Sequence, residues 1–272
     1  MTRAIQARGF GVAAGLEAAI AEPLAARCGM LGYHSMWSND HPAASGLDTI
    51  ASFGHAVPDI DHGVAVLPLD RHTQRSIADQ LLDLGLPPHR LWIGVGAGFS
   101  DKPLTRMRDA LPELREALPG VRLILAAMGP KMCALAGSAY DGAFLNWVTP
   151  EYAAGARRHV HAGAEQAGRQ PPPVLGYVRT AVGADAGERL AKEEGFYRDL
   201  HDGYRNHFAR LDEPEGTVGV ATESPYAAQA ALGRYEALDI VVVRGLASAS
   251  LEAMSALVEA VSPGGTESRD PR

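Results

Sequence analysis

The stretch Val121–Pro150, VRLILAAMGPKMCALAGSAYDGAFLNWVTP, decides the fold. It reads as a buried strand at Leu123–Ala127, a turn at Met128-Gly129-Pro130, a helix to Tyr140, a turn at Asp141-Gly142 and a second apolar strand at Ala143–Trp147. Strand, helix and strand in so short a span make a βαβ unit, and a βαβ unit implies a parallel sheet. Pro130 suits a first helical turn, where its missing N–H would have no partner anyway. Gly129 has no side chain to keep a ligand from the backbone. With free amides at the helix start and Lys131 beside them, the turn is a candidate seat for a phosphate. A tight strand-to-helix turn without a ligand accounts for the same spacing.

Similar units recur on both sides. Short apolar runs predict strands at Gly9–Ala14, His34–Asn39, Gly63–Pro68, Leu91–Gly96, Val121–Ala127, Gly142–Trp147, Val174–Val182 and Asp239–Arg244. Several are almost wholly apolar (GVAV, ILAA, IVVV), as strands covered on both faces should be. Helical patterns fall between them at Leu16–Cys28, Thr73–Leu84, Leu104–Leu118, Tyr152–Ala167 and Leu251–Val261. Eight such units in 272 residues match the size of a (β/α)8 TIM barrel. A doubly wound open sheet is the alternative, but no G-x-G-x-x-G opens the first helix. Ala184–Ala237 shows only helical patterns, among them FYRDLHDGYRNHF, which predicts extra helices between strands seven and eight. The expected organisation is a single barrel domain over residues 1–261 and a polar, disordered tail over 262–272, SPGGTESRDPR.

Composition narrows the function classes. Hydrophobic residues make up 46% and charged residues 21%, ordinary for a globular protein with a large core. No apolar run is long enough to span a membrane, and MTRAIQARGFG lacks the pattern of a signal peptide. Cys28 and Cys133 are too few for a disulfide framework or a metal knuckle, so the expected compartment is the cytoplasm. A net charge of -7 argues against nucleic acid as partner, so an anionic ligand would need a local cationic patch.

In a barrel the chemistry belongs at the C-terminal strand ends. These are Asn39-Asp40-His41, Pro68 with Asp70-Arg71-His72, Gly94–Gly98, Met128-Gly129, Asn146-Trp147, Arg179-Thr180 and Arg244. Three glycines within Gly94–Gly98 leave room either for a flat ligand against the backbone or for a neighbouring side chain. His41 is a candidate acid or hydrogen-bond donor. Asp40 could orient it or cap the following turn. His159-Val160-His161 has the form of a metal-binding H-x-H but falls in a helical pattern, where an exposed helix face is the better reading, and no metal site is expected.

The phrases GVAVLPLDRH, RLWIGVGAG and LAAMGPKMCALAGSAYDGAFLNWVTPE together resemble the luciferase-like oxidoreductase superfamily, in particular its branch that uses the deazaflavin coenzyme F420. The resemblance covers Tyr33–Glu151 well and the last strands, YVRTAVG and LDIVVVRG, loosely. It implies a (β/α)8 barrel with F420 or FMN at its C-terminal face, commonly as a homodimer. By position, Asp40 and His41 match the Asp-His pair near the reactive face of the ring. A non-prolyl cis peptide is implied near Val64–Ala65, with Val64, Ala65, Leu67, Val95 and Gly96 against the ring. Ala127, Met128, Gly129, Pro130 and Lys131 match the phosphate turn. Two departures stand out: His72 is followed by Thr73 where the family often has proline, and only Phe99–Gly120 separates strands four and five, where members carry a long insertion.

The implied activity is transfer of hydride from reduced F420 to a small organic substrate at a C=C or C=N bond, with His41 supplying a proton or hydrogen bond. An FMN-dependent monooxygenase and a non-catalytic flavin-binding barrel are the alternatives. Deazaflavin carries a string of carboxylates beyond its phosphate, and Lys102, Arg106 and Arg108 offer cations after strand four; exposed basic residues on an amphipathic helix are the plainer reading.

Overall fold

Strand β7, Val174–Val182, is where the sheet closes. One edge pairs with β6 (Gly142–Asn146) and the other with β9 (Ile240–Gly245), both parallel. From β9 the ladder runs through β1 (Ala7–Val12), β2 (Ser35–Ser38), β3 (Asp61–Pro68), β4 (Leu91–Gly96) and β5 (Arg122–Ala126) back to β6. The result, in a computed structural model that describes residues 6–264, is a closed eight-stranded parallel barrel. Closure excludes the doubly wound sheet.

Helices follow the strands around the outside: α1 (Ala18–Met30), α2 (Gly46–Ala56), α3 (Gln74–Leu84), α4 (Pro103–Ala117), α5 (Pro130–Ala139) and α6 (Pro150–Gln166). Between β7 and β9 the chain makes α7 (Ala186–Leu200), α8 (Asp202–Leu211), β8 (Val220–Thr222) and α9 (Pro225–Leu232), and α10 (Leu251–Ala260) closes the ring. Side-chain oxygens of Ser45, Thr73, Thr149, Ser224 and Ser250 accept from backbone amides at the starts of α2, α3, α6, α9 and α10. Each such cap satisfies an otherwise unpaired donor, worth about 1 kcal/mol. Thr73, where the family often has proline, thus has a local use of its own.

Two elements differ from the sequence reading. Ala184–Ala237 is not wholly helical: Val220–Thr222 adds to the C-terminal half of β7, beyond the end of β6. Three residues carry too little alternation to stand out. Helix α2 was not anticipated, because Gly46, Gly54, Thr49 and Ile50 dilute its helical propensity. Of the tail expected at 262–272, residues 265–272 lie outside the described residues.

The barrel wall separates two apolar layers. Its outward residues pack under the helices, while the lumen holds Trp37, Trp92, Phe144, Tyr177, Leu175 and Val242 among others. Ring centroids of Trp37 and Phe144 lie 5.1 Å apart, and those of Phe144 and Tyr177 4.7 Å. Glycines make the room: a Cβ on Gly63 would lie 2.3 Å from the Trp37 ring, and one on Gly11 would lie 2.7 Å from Tyr177. At the N-terminal end of the barrel, buried Asp61 accepts from Trp92 Nε1 at 2.9 Å and from Arg122 at 2.6 Å. These bonds tie the starts of β3, β4 and β5 together, and in (β/α)8 barrels the ligand site lies at the opposite, C-terminal end.

Candidate functional site

The mouth is built from the loops that follow the barrel strands. After β2, the Asp40 side chain is almost fully buried; its Oδ2 accepts from Arg71 at 2.7 Å and from His72 at 2.8 Å, and its Oδ1 accepts from the Gly46 amide at 3.2 Å. Asp40 therefore ties the β2 loop to the β3 loop and does not touch His41 through any of these bonds. His41 is exposed, and its Nδ1 accepts from the Ala43 amide at 3.1 Å, which puts the ring proton on Nε2. That N–H is free to donate to a ligand.

In β3 the register slips between Val64 and Leu67, and the peptide Ala65–Val66 is cis. The bond expected near Val64–Ala65 is thus one residue further along. The bulge turns Ala65 and Val66 both toward the lumen layer, while Val64, Leu67 and Val95 face the helices. Only their backbones can meet a ligand in the mouth. The bulge also explains strand four: a Cβ on Gly94 would lie 2.7 Å from the Val64 carbonyl oxygen, and one on Gly96 3.1 Å from Val66. Gly98, at φ +63, leaves space for the Asp70 carboxylate, which accepts from the Phe99 amide at 2.9 Å. Neighbouring protein groups account for all three glycines.

Gly129 is different. It adopts extended backbone at the start of α5, and a Cβ there would meet nothing within 4 Å. The protein's own packing does not require glycine at this position, and the first α5 amides have no side-chain cap. Lys131 is exposed alongside. A cation that the sequence did not single out joins it: Arg210 of α8 donates to the Met128 carbonyl at 3.1 Å.

The same carbonyl accepts from Tyr152 Oη at 2.5 Å and faces His207 Nδ1 at 3.2 Å. His207 Nε2 lies 2.6 Å from the Trp147 carbonyl. Burial lowers the His207 pKa, and the Trp147 bond works against that. Just before α8 in the same insertion, His201 meets the exposed Phe99 ring edge-on at 5.2 Å. The α7–α8 pair therefore covers the mouth on its β4-to-β7 side. Buried Glu194 holds the pair down, bound to Arg198 at 2.7 Å and to the Val218 amide at 3.0 Å.

Beneath this cover Trp147, just after β6, sits at φ 52, a backbone region that bulky residues rarely occupy. Its ring lies 4.1 Å from the Arg179 guanidinium, which also sits 5.0 Å from Tyr197. Arg179 donates to Asn146 Oδ1, and Tyr204 Oη accepts from Asn146 Nδ2 at 3.1 Å. Burial pushes the Tyr204 phenol up to about 12, so it stays protonated. Arg179 Nε, Trp147 Nε1 and Tyr177 Oη are buried without a hydrogen-bond partner.

The structure thus brings to one rim the β2 loop with Asp40 and His41, the β3 bulge, the β5 turn and the polar ends of β6 and β7. Of the proposed tail patch, Arg106 is committed to the Leu69 carbonyl, while Lys102 and Arg108 are exposed. His159 and His161 lie on the outer part of α6, away from the mouth, and among the described residues no three His, Cys, Asp or Glu side chains converge as metal ligands. Nor is any helix among them long and apolar enough to cross a membrane. Orphaned polar groups in the mouth and the open approach to Gly129 fit a bound flavin-type group.

Barrel, bulge and open α5 start define a (β/α)8 protein with a ligand-binding C-terminal mouth. The chain belongs to the luciferase-like monooxygenase family, whose profile matches residues 112–251, just over half of it. Membership places it among enzymes of oxidation and reduction. No curated protein matches the chain. Among solved structures it is similar to an F420-dependent secondary alcohol dehydrogenase in complex with an F420-acetone adduct, at 17% identity and TM-score 0.70 over 96% of this chain and 99% of that one. The coenzyme F420-dependent tetrahydromethanopterin reductase of Methanopyrus kandleri matches at 15% identity and TM-score 0.70, with the same coverage. The FMN-bound oxygenating constituent of 3,6-diketocamphane monooxygenase, from Pseudomonas putida, matches at 12% and 0.62 over 96% and 99%. These likenesses concern the fold.

Proposed function

We propose that this protein is an F420-dependent oxidoreductase that reduces a small organic substrate at a C=C or C=N bond. When bound, the cofactor supplies hydride. The chain's own residues do the rest. The α5 amides from Gly129 onward would hold the phosphate, with Lys131 and Arg210 beside them. The Ala65–Val66 bulge offers a backbone shelf for the ring. Asp40 fixes the β2 and β3 loops, so that His41 stands over the mouth with Nε2–H free to donate or to deliver a proton. The aromatic cover of α7 and α8 keeps water from the β4-to-β7 side.

Gly129 is the observation that carries this reading: it opens a helix at a barrel mouth, packing does not require it, and two cations flank it. Cytoplasmic location and a homodimer are part of the same proposal. The second reading is an FMN-dependent monooxygenase, favoured by the family's own description and by FMN in one similar fold.

Titration of the purified protein with F420 and FMN, followed by turnover assays, separates these readings. Oxidation of reduced F420 only in the presence of an acceptor supports the first. Oxygen consumption with reduced FMN supports the second. Binding of either cofactor without turnover would leave a non-catalytic barrel.

A further inference from the structure

Arg179 on β7 and Arg244 on β9 are direct register partners on neighbouring parallel strands. Two residues earlier on the same strands, Tyr177 and Val242 belong to the lumen core. The two-residue period of a strand puts both arginines on that inner face, one layer higher, at the floor of the mouth. Like charges placed directly opposite each other repel, and sheets avoid the arrangement unless something compensates.

Among the described residues no carboxylate bonds to either guanidinium; Glu193 acts on Arg179 only through space, and less than burial, Tyr197 and the opposing Arg244 do. Arg179 is 2% exposed, binds the neutral Asn146 amide, and leaves Nε without a partner. Arg244 is half-buried, and beyond its place in the sheet its side chain makes no hydrogen bond or ion pair with another described residue. Burial lowers the Arg179 pKa, yet an arginine stays charged in a protein. The faces of Trp147 and Tyr197 soften the loss of water around Arg179 but accept no hydrogen bonds in its plane. Two guanidinium forks, side by side in a barrel mouth, therefore have no hydrogen-bonded acceptor with two oxygens among the described residues.

We infer that Arg179 and Arg244 form an anion pocket that takes a carboxylate of the substrate, so that the substrate class is small organic acids. The assignment rests on reading the mouth as the redox site. Arg244, on the side that α7 and α8 leave uncovered, meets the carboxylate first. Arg179 closes on its second oxygen, and the aromatic rings around it keep the pair dry. Charge-assisted bonds of this kind are the strong ones, and planar carboxylates match them.

The test uses the whole chain without cofactor and reads tryptophan fluorescence, since Trp147 lies against Arg179. Acetate and benzoate are titrated against their neutral amides, acetamide and benzamide, in wild type, Arg244→Gln and Arg244→Lys. The expected result is binding of the acids over the amides, weakened about tenfold or more by Arg244→Gln. Arg244→Lys should fall between, because it restores charge without the fork. Arg244 is the primary site because it is part-exposed and its replacement should spare folding; Arg179→Gln follows, with circular dichroism to confirm the fold. Equal affinity for acids and amides, no binding of the acids, or acid binding unchanged in Arg244→Gln would each overturn the pocket. F420 and FMN titrations on the same proteins judge the redox reading separately. Acid binding without cofactor binding sinks that reading and keeps the pocket; cofactor binding without charge discrimination does the reverse.

Discussion

The imidazole of His207 reaches the Trp147 carbonyl at 2.6 Å, so helix α8 is pinned to a residue just after β6 held at φ 52. A neutral ring has one N–H, and the shorter contact takes it, leaving Nδ1 facing Met128 at 3.2 Å. His207→Ala should cost about 2–3 kcal/mol through the lost bond and the vacated space. Amide exchange measured by mass spectrometry should rise over α8 and the end of β6 well beyond the rise in β1 to β3. Uniform exchange would mean that the histidine merely fills volume.

Gly129→Val isolates the phosphate seat. A valine fits extended backbone there and meets nothing, so the melting temperature should move by only a few degrees. The isopropyl group would nonetheless stand in front of the α5 amides. Cofactor affinity should fall steeply, as read by fluorescence titration. Unchanged affinity in the folded variant would reduce the turn to plain architecture.

Asp40 and His41, adjacent in sequence, should separate in experiment. His41→Ala removes a free donor and should lower kcat by about 10²–10⁴ while cofactor affinity stays within a few fold. Asp40→Asn instead strips the charge from a buried acceptor of Arg71 and His72, and should cost about 1–3 kcal/mol of stability. Thermal melts and steady-state kinetics on both variants decide the matter. A His41 variant with normal turnover on its substrate leaves the mechanism without an acid at this position.

Much of the barrel is legible in the sequence because several strands are almost wholly apolar and the turns between elements carry their own punctuation. The β5–α5–β6 unit reads nearly residue for residue, since Pro130 and Asp141-Gly142 mark both ends of the helix. The site reads less well. Arg179 and Arg244 can be placed at strand ends, but their opposition depends on β7 pairing with β9, a consequence of closure rather than of local pattern. FYRDLHDGYRNHF announces helices, yet nothing in its spacing says that His207 and Arg210 will share the Met128 carbonyl. The strand-four glycines stay ambiguous in the sequence for a similar reason: the β3 bulge beside Gly94 and Gly96 and the Asp70 carboxylate beside Gly98 lie some thirty residues away, and only the fold brings them near.

His62 makes the fold sensitive to acid. It is buried, its Nε2 lies 3.0 Å from the Val57 carbonyl, and burial pulls its pKa down to about 4 from an ordinary 6.5. The folded protein holds the ring neutral, so its full contribution is present above pH 6.5. Between pH 6.5 and 4 the unfolded chain binds the proton first, and stability falls with pH. Over that window the loss amounts to about 3 kcal/mol for a fully buried ring. His207 shifts in the same direction and adds to the slope. Urea unfolding across this range should show His62→Gln to be less stable at neutral pH but flatter in acid. A slope equal to wild type would clear His62 of any part in it.

Electrostatics can separate deazaflavin from FMN. Both present a phosphate, but only deazaflavin extends carboxylates beyond it and out of the barrel. Lys131 is exposed at the α5 start, so reversing it should weaken both cofactors; Arg210 is left intact because it holds the Met128 carbonyl. Lys102 and Arg108 are exposed after β4, where only the longer tail would reach. Arg106 is left intact because it holds the Leu69 carbonyl, and its loss would confound folding with binding. Exposed charges are screened over about 8–10 Å at ordinary salt, so each contact should be modest. The double variant Lys102→Glu, Arg108→Glu should therefore weaken F420 by several fold, more so as salt is lowered, and leave FMN nearly unaffected. Equal weakening of both cofactors would point to a general change in the protein's field, and no change in either would leave these two cations as ordinary surface residues of α4 and its leading loop.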